Sequence, residues 1–301
     1  MREEILINIT PQETRVATVE NGMVQEIFIE RSRNRGIAGN IYLGVVARVL
    51  PGMQAAFIDI GLERTAFLHA RDLMPRNGEE VHYQQNDPTI SISSLLSEGQ
   101  RIQVQVIKDP IGSKGARLTG QISIPARNIV LLPEGEYVGI SHRIQGTERR
   151  AALLDQLKKQ ISSTRSQGGY ILRTAGENAS GEELGSEMKL LTRVWERVTR
   201  VIREARAPAL VHQDLPLASR LVRDLDWERV DKVLIDSRET CDHVREFVQA
   251  LIPEVIDSIE HYPGARPLFD LYGIEDEIQK ALQRKVPLKS GGYLIVDQTE
   301  A

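Results

Sequence analysis

Phe57 and Phe67 are the side chains whose type and spacing most directly indicate chemistry in this sequence. They lie in AAFIDIG (55–61) and RTAFLHA (64–70), two alternating stretches joined by a short turn, which is the pattern of paired strands. An exposed aromatic ring on a strand can stack on a nucleic-acid base, an interaction worth about 1–3 kcal/mol. The alternative is that both rings belong to a hydrophobic core. The two stretches alone leave both interpretations open.

Three further side chains have the chemistry to bind phosphate. Lys114 stands in the glycine-rich turn DPIGSKGARL, and Arg173 and Thr174 directly follow the predicted strand GGYIL. A lysine supplies a point charge, a guanidinium can grip a phosphate through two hydrogen bonds, and a hydroxyl adds one donor. A solvated lysine and an ordinary Arg-Thr pair at a strand end are the alternatives.

The pattern around Phe57 and Phe67 predicts a small β-barrel. Between Asn40 and Pro125 we identify five strand candidates: NIYLGVVARVL (40–50), AAFIDIG (55–61), RTAFLHA (64–70), RIQVQVIKD (101–109) and ARLTGQISI (116–124). A polar segment between the third and fourth, 74–99, is predicted to be a surface loop. This pattern is typical of a Greek-key barrel of the OB type, which binds oligonucleotides on the face of its second and third strands. Phe57 and Phe67 fall on those two strands.

The flanking segments indicate a larger α/β framework. Asn21-Gly22 between two alternating runs predicts a β-hairpin. EGEYVGI (134–140) predicts a polar turn, and a capping box of Ser180 and Glu183 predicts the start of a long helix. After that helix, strands and helices alternate, as in a layered α/β domain. LFDLYGIEDEIQKALQ (268–283) is predicted as one helix.

Composition limits the protein classes that fit. The 301 residues are 41% hydrophobic and 27% charged, and no apolar run reaches the roughly 18–20 residues of a membrane span. A single cysteine, Cys241, excludes an internal disulfide, so a reducing, cytoplasmic setting is expected. A net charge of −4 argues against coating nucleic acid by charge alone, but it permits a local basic face.

The whole chain resembles the N-terminal part of the bacterial ribonuclease E/G endoribonucleases. The resemblance is carried by the stretches ILINITPQETRVA, GNIYLGVVARVLPGMQAAFIDIGLERTAFL, GSKGARLT, ILRTAG and KSGGYLIVDQTEA. It implies an α+β multidomain protein, in which an OB-type β-barrel is inserted in a ribonuclease-H-like α/β domain beside a mixed α/β 5′-sensor region. The implied bounds are 1–38 and 214–282 for the ribonuclease-H-like domain, 39–125 for the RNA-binding barrel of the ribosomal S1 type, 126–213 for the 5′-sensor region, and 283–301 for the start of a truncated deoxyribonuclease-I-like catalytic domain.

The resemblance also assigns roles by position. Residues that hold RNA in the family's barrel match Phe57, Phe67 and Lys114. Its contacts to a 5′ monophosphate match Arg173, Thr174 and the main chain at Val130.

The family's metal ligands have no match in this sequence. The resemblance implies Mg²⁺ held by aspartates, the first in a TxDxN-type motif just after the sequence that corresponds to LIVDQTEA, and zinc shared between subunits through CPxC-type cysteines. Asp297 precedes the TxDxN-type motif and is not its metal ligand. We therefore expect a truncated chain without catalytic or metal-binding residues, which is inactive alone.

The expected function is the RNA-recognition portion of a Mg²⁺-dependent, single-strand endoribonuclease that senses a 5′ monophosphate. Such an enzyme acts in RNA processing and decay, including ribosomal RNA maturation and mRNA turnover, and the family forms homodimers or homotetramers. Two alternatives remain: a non-catalytic RNA-binding regulator, and a structural or filament-forming protein that uses the barrel as an interaction surface.

Overall fold

The computed structural model of the chain describes residues 3–73, 91–164, 166–288 and 290–297. The backbone divides into two compact units. One comprises Met1–Arg35 and Pro216–Ala301, and the other comprises Gly36–Leu215. The second unit is thus inserted in the sequence of the first.

The described strands and α-helices are numbered in chain order. The strands are β1 (Glu3–Ile9), β2 (Glu13–Glu20), β3 (Met23–Arg31), β4 (Ile41–Leu50), β5 (Ala55–Asp59), β6 (Ala66–His69), β7 (Arg101–Lys108), β8 (Arg117–Thr119), β9 (Ile124–Pro125), β10 (Ile129–Leu132), β11 (Val138–Ile140), β12 (Gly169–Leu172), β13 (Ala209–His212), β14 (Val230–Ile235), β15 (Ile259–His261), β16 (Lys285–Pro287) and β17 (Tyr293–Ile295). The helices are α1 (Ile92–Leu95), α2 (Thr147–Thr164), α3 (Gly181–Glu204), α4 (Leu217–Asp224), α5 (Arg238–Leu251), α6 (Leu268–Leu271) and α7 (Ile274–Ala281).

Strands β4 to β8 form a closed barrel in the unit Gly36–Leu215. Their order is β4-β5-β6-β8-β7, and β7 pairs back with β4 to close the sheet. β6 and β8 run parallel, whereas the other neighbours are antiparallel. Alternate side chains point inward and are buried, among them Ala56, Ile58, Ala66, Leu68 and Leu118. The predicted five-strand barrel is confirmed, and it is consistent with an OB-like fold.

Two local predictions in the barrel are wrong. The stretch 116–124 is not one strand, because β8 ends at Thr119 and β9 joins a different sheet. The buried amide of Gln105 holds this turn, donating to the Ser123 carbonyl at 2.9 Å and accepting from the Ser123 N–H at 2.8 Å. The predicted loop 74–99 contains α1, whose Ile92 is buried in the barrel core, while residues 74–90 lie outside the described part.

A second sheet completes this unit. Its order is β11-β12-β10-β9, and the buried side chains of α2 and α3 share its core. The predicted polar turn 134–140 is partly wrong, because Val138–Ile140 pairs with β12 as a parallel strand. The capping box is confirmed: the Ser180 hydroxyl accepts from the Glu183 N–H, and the Glu183 carboxylate accepts from the Ser180 N–H at 2.7 Å.

The other unit is a sheet with helices packed on its side chains. The strand order is β15-β14-β1-β2-β3, in which β15, β14 and β1 are parallel and β1, β2 and β3 are antiparallel. The predicted hairpin is confirmed, with positive φ angles at Asn21 (51°) and Gly22 (74°). The predicted helix 268–283 is broken into α6 and α7, because Gly273 adopts a left-handed φ of 68°. The mixed α/β class is confirmed, whereas the ribonuclease-H-like assignment and the five domain bounds stay predictions.

Candidate nucleic-acid interface

Phe57 and Phe67 face each other on the outside of the barrel. They are register partners across β5 and β6, with ring centroids 6.1 Å apart and ring planes at 69°. Their neighbours along each strand point inward and are buried, whereas the two rings are half-buried. The core interpretation therefore does not hold, and the pair offers an aromatic surface to a ligand.

Basic side chains extend this pair into a row across the barrel. Arg48 on β4 pairs with Phe57, Arg117 on β8 pairs with Phe67, and Lys108 on β7 pairs with Arg117. Partners in register point to the same face of a sheet, and all three basic side chains are exposed. We name these five residues the basic-aromatic row. Guanidinium and ammonium groups beside stacking rings are the chemistry of single-strand nucleic-acid binding.

His69 and Asp72 border the row. The His69 ring lies 6.5 Å from the Phe67 ring, and its Nδ1 accepts from the Arg71 N–H at 3.1 Å. Burial, together with the Arg71 charge, lowers the pKa of His69 below its usual value, so its ring is neutral at physiological pH. Asp72 accepts from the Arg117 guanidinium at 3.2 Å. One of the three cations of the row, Arg117, is thus partly neutralised by Asp72.

Lys114 lies in the loop that leads into β8. Its N–H and carbonyl pair with Ile111 at 3.0 and 3.1 Å, and the Arg64 guanidinium donates to the Gly112 carbonyl. The Phe67 N–H donates to the Ala116 carbonyl at 2.7 Å, which fixes the end of the loop beside β6. The loop that carries the exposed Lys114 therefore ends next to the strand of Phe67. The role of Lys114 in RNA binding stays a prediction.

Arg173 directly follows the last residue of β12, Leu172. Its N–H donates to the Asn128 carbonyl at 2.7 Å. Its guanidinium donates to the carbonyls of Ala126 at 2.7 Å and Arg127 at 3.2 Å. The side chain is half-buried, so the turn 126–128 sets the direction of the guanidinium.

Thr174 and Val130 lie on either side of this arginine. Thr174 is exposed, and its hydroxyl lies 3.2 Å from the Ser141 hydroxyl. Val130 lies on β10 opposite Ile171, so β10 and β12 bring its main chain to the strand that ends at Arg173. We name Arg173, Thr174 and the main chain at Val130 the candidate phosphate site. The structure places all three on adjoining backbone, and their binding role stays a prediction.

Gly176 allows two turns to pack closely against each other. A Cβ at this position would lie 2.7 Å from the Asn128 carbonyl oxygen, so only glycine lets the turn after Arg173 pack on the turn 126–128. The residue is buried.

Glu187, like the cations of the row, is a candidate that sequence reasoning missed. It lies on α3, is 4% exposed, and accepts from the Asn128 N–H at 3.0 Å, the Asn128 side-chain amide at 2.9 Å and the Ile129 N–H at 3.3 Å. Burial raises its pKa to about 7, although these hydrogen bonds and the charges of Arg127 and Arg173 favour the ionised form. In the sequence of α3, Glu187 is spaced three residues after Leu184 and four before Leu191, so a carboxylate stands on the apolar face of this helix. That is the signal that could have revealed it.

The described residues do not supply a metal centre. Within residues 3–73, 91–164, 166–288 and 290–297, no three or more His, Cys, Asp or Glu side chains cluster as metal ligands. Asp297 lies 2.7 Å from Arg284 as an ion pair. The described residues therefore offer no cluster that matches the three or four protein ligands of a zinc site. No helix in the described part of the chain has the length and apolarity to cross a bilayer.

Comparison with known proteins is consistent with this geometry. The chain is 48% identical to the ribonuclease G of Salmonella typhimurium (strain SL1344) over 303 residues, which cover 100% of this chain and 61% of that protein. The same values hold for the ribonuclease G of Escherichia coli (strain K12). The ribonuclease E of Haemophilus influenzae is 36% identical, across 99% of this chain and 32% of its own length.

The family comparison reaches the same group of proteins. The chain spans about 61% of the length of the ribonuclease G proteins it matches. The model of the Ribonuclease E/G family matches residues 123–301, which is more than half of the chain. The chain belongs to the ribonuclease E/G family.

Proposed function

We propose that this chain is the RNA-recognition portion of an endoribonuclease that acts in RNA processing and decay, including ribosomal RNA maturation and mRNA turnover. The single observation that carries the proposal is the basic-aromatic row, in which the Phe57–Phe67 pair stands on an exposed barrel face between cations. Family membership supplies the reaction class, and the row supplies a surface for the substrate.

The substrate proposed for the row is single-stranded RNA. A base in a duplex is already stacked and paired, so it cannot lie on a protein ring without being extruded, which costs a few kcal/mol. Unpaired bases stack on aromatic side chains with little dependence on their identity. Arg48, Lys108 and Lys114 then follow the phosphates on either side of the stacked bases.

The candidate phosphate site is proposed to sense the 5′ end. A guanidinium and a hydroxyl can bind the terminal oxygens of a 5′ monophosphate, which a 5′ hydroxyl lacks. Binding one RNA at this site and at the row makes the second contact intramolecular, and this raises the overall affinity. The chain would thereby hold an RNA in a fixed register.

Cleavage is proposed to depend on residues other than those described here. When bound, Mg²⁺ can supply an activated water and stabilise the charge that develops on the phosphate. The resemblance assigns its aspartates to a deoxyribonuclease-I-like domain, and it assigns homo-oligomers held by zinc to the family. The described residues of this chain are therefore proposed to serve RNA binding and not the cleavage of the phosphodiester bond. Its own residues bind and orient the RNA.

The test is the affinity of the 301-residue chain for one A/U-rich RNA in single-stranded and duplex form, with Mg²⁺ present. We expect tighter binding of the single strand and an uncut RNA. Equal affinity for both forms would refute the single-strand preference, whereas no affinity at physiological salt would refute the RNA-recognition proposal and leave the filament-forming alternative, which light scattering detects. Metal-dependent cutting by the purified chain would overturn the proposed lack of activity.

A further inference from the structure

The turn 126–128 is hydrogen-bonded to two side chains from other parts of the chain, Glu187 and Arg173. The Asn128 N–H, the Asn128 side-chain amide and the N–H of the following Ile129 donate to the Glu187 carboxylate, at 2.9 to 3.3 Å. The carbonyl groups of the turn point the other way and accept from the guanidinium and the N–H of Arg173. A displacement of the turn therefore moves the anchor of Arg173.

We propose that Glu187 is a positioning residue of the candidate phosphate site: its carboxylate fixes the turn 126–128, and the turn fixes the guanidinium of Arg173. This inference rests on the proposed binding of a 5′ monophosphate by Arg173. Glu187 itself does not bind RNA, because it is 4% exposed and its negative charge would repel a phosphate.

Stability alone does not account for a carboxylate at this position. A buried charge is costly unless it is hydrogen-bonded, and neutral replacements of buried charges are often harmless or stabilising. An ionised carboxylate accepts hydrogen bonds only, so it can receive the three N–H groups at once. Glutamine in the same place presents an NH₂ group to donors, and it holds the turn through fewer bonds.

Protonation of Glu187 has two opposite consequences. Since an O–H is a donor, the protonated acid accepts fewer of the hydrogen bonds from the turn, and the preference for a 5′ monophosphate should fall as the pH drops through about 7.

The pKa of Glu187 in the folded chain lies above the ordinary value of 4.5, so the native chain binds more protons than the unfolded chain between about pH 4.5 and 7. Through this group, folding stability therefore rises as the pH falls from about 7 towards 4.5. The charged groups that face the carboxylate are Arg127 and Arg173, and both favour ionisation.

The experiment compares Glu187→Gln with Glu196→Gln, which removes an exposed carboxylate from the same helix. The affinity of each chain is measured for one single-stranded RNA with a 5′ monophosphate and with a 5′ hydroxyl. Loss of hydrogen bonds to a charged group should lower the monophosphate preference of Glu187→Gln by about tenfold, while its affinity for the 5′-hydroxyl RNA and the preference of Glu196→Gln stay unchanged.

The pH profile separates positioning from a merely structural role. We expect the preference of the wild-type chain to fall through about pH 7. The preference of Glu187→Gln should follow only the ionisation of the RNA phosphate itself, near pH 6. As the pH falls from about 7 towards 4.5, the melting temperature of the wild-type chain should rise relative to that of this variant. If the variant does not fold, the pH profile of the wild-type chain decides between the two roles. The pKa of the 5′ phosphate in the free RNA, measured by ³¹P NMR, then serves as the reference for that profile.

The outcomes distinguish the two proposals. No monophosphate preference in the wild-type chain at any pH would refute the phosphate site itself. A preference that Arg173→Ala removes but Glu187→Gln keeps, or a wild-type profile that follows the RNA phosphate alone, would refute the positioning role of Glu187 and leave the site intact.

Discussion

The basic-aromatic row and the candidate phosphate site are built in contrasting ways. In the row, strand register brings Phe57 and Phe67 together, and the two rings are half-buried. At the phosphate site, Arg173 is held by carbonyls of a turn that a buried carboxylate holds in place. A stacking surface tolerates any base, whereas recognition of a terminal phosphate requires donors fixed in direction. The first surface is suited to affinity and the second to discrimination.

The largest effect is expected at Arg173. Replacing it with alanine removes the guanidinium and should abolish the preference for a 5′ monophosphate over a 5′ hydroxyl, a loss of about 1.5–3 kcal/mol. Affinity for the 5′-hydroxyl RNA should hardly change. The measurement is fluorescence anisotropy with the two RNAs, and Arg200→Ala, an exposed arginine on α3, is the matched control. An unchanged preference would place the 5′ site elsewhere.

The next effect is expected at the aromatic pair. Phe57→Ala or Phe67→Ala should weaken the binding of both RNAs equally, by about 1–3 kcal/mol, with little change in melting temperature. Met53→Ala serves as control, since Met53 is also exposed on this unit. A large loss of folding stability, or a loss of affinity confined to the 5′-monophosphate RNA, would contradict the claim that the row supplies affinity and the phosphate site supplies discrimination.

The smallest effect is expected from the cations of the row. Arg48→Ala or Lys108→Ala should reduce affinity for all sequences alike and lower the slope of log affinity against log salt by about 0.7. Arg117→Ala should do less, because Asp72 already lies 3.2 Å from its guanidinium. Equal slopes for these variants and the wild-type chain would mean that the cations do not meet phosphate.

The two surfaces also differ in how far the sequence predicts them. Period-two alternation and the short turn between them assigned Phe57 and Phe67 to two consecutive strands. Arg48 and Lys108 were missed because β-bulges interrupt the registers that bring them into the row, and alternation does not reveal which strands become neighbours. Arg173 was marked only by its residue type and by resemblance.

Long-range polar contacts account for most of what the sequence did not predict. Glu187 is 59 residues from Asn128 along the chain, so no local pattern links them. The path of the chain from β8 out of the barrel depends on the side-chain amide of Gln105 on β7, which is hydrogen-bonded to the main chain of Ser123. By contrast, local signals such as the capping box of α3 and the Asn21-Gly22 turn were predicted correctly.

The central claim is that one chain holds one RNA through two separable surfaces. The most direct measurement is the ratio of affinities for the 5′-monophosphate and 5′-hydroxyl forms of one single-stranded RNA, taken for the wild-type chain, Phe57→Ala and Arg173→Ala. We predict a ratio well above one for the wild-type chain, the same ratio for Phe57→Ala at lower affinity, and a ratio of one for Arg173→Ala. A wild-type ratio of one, or a ratio lost equally in both variants, would contradict the account.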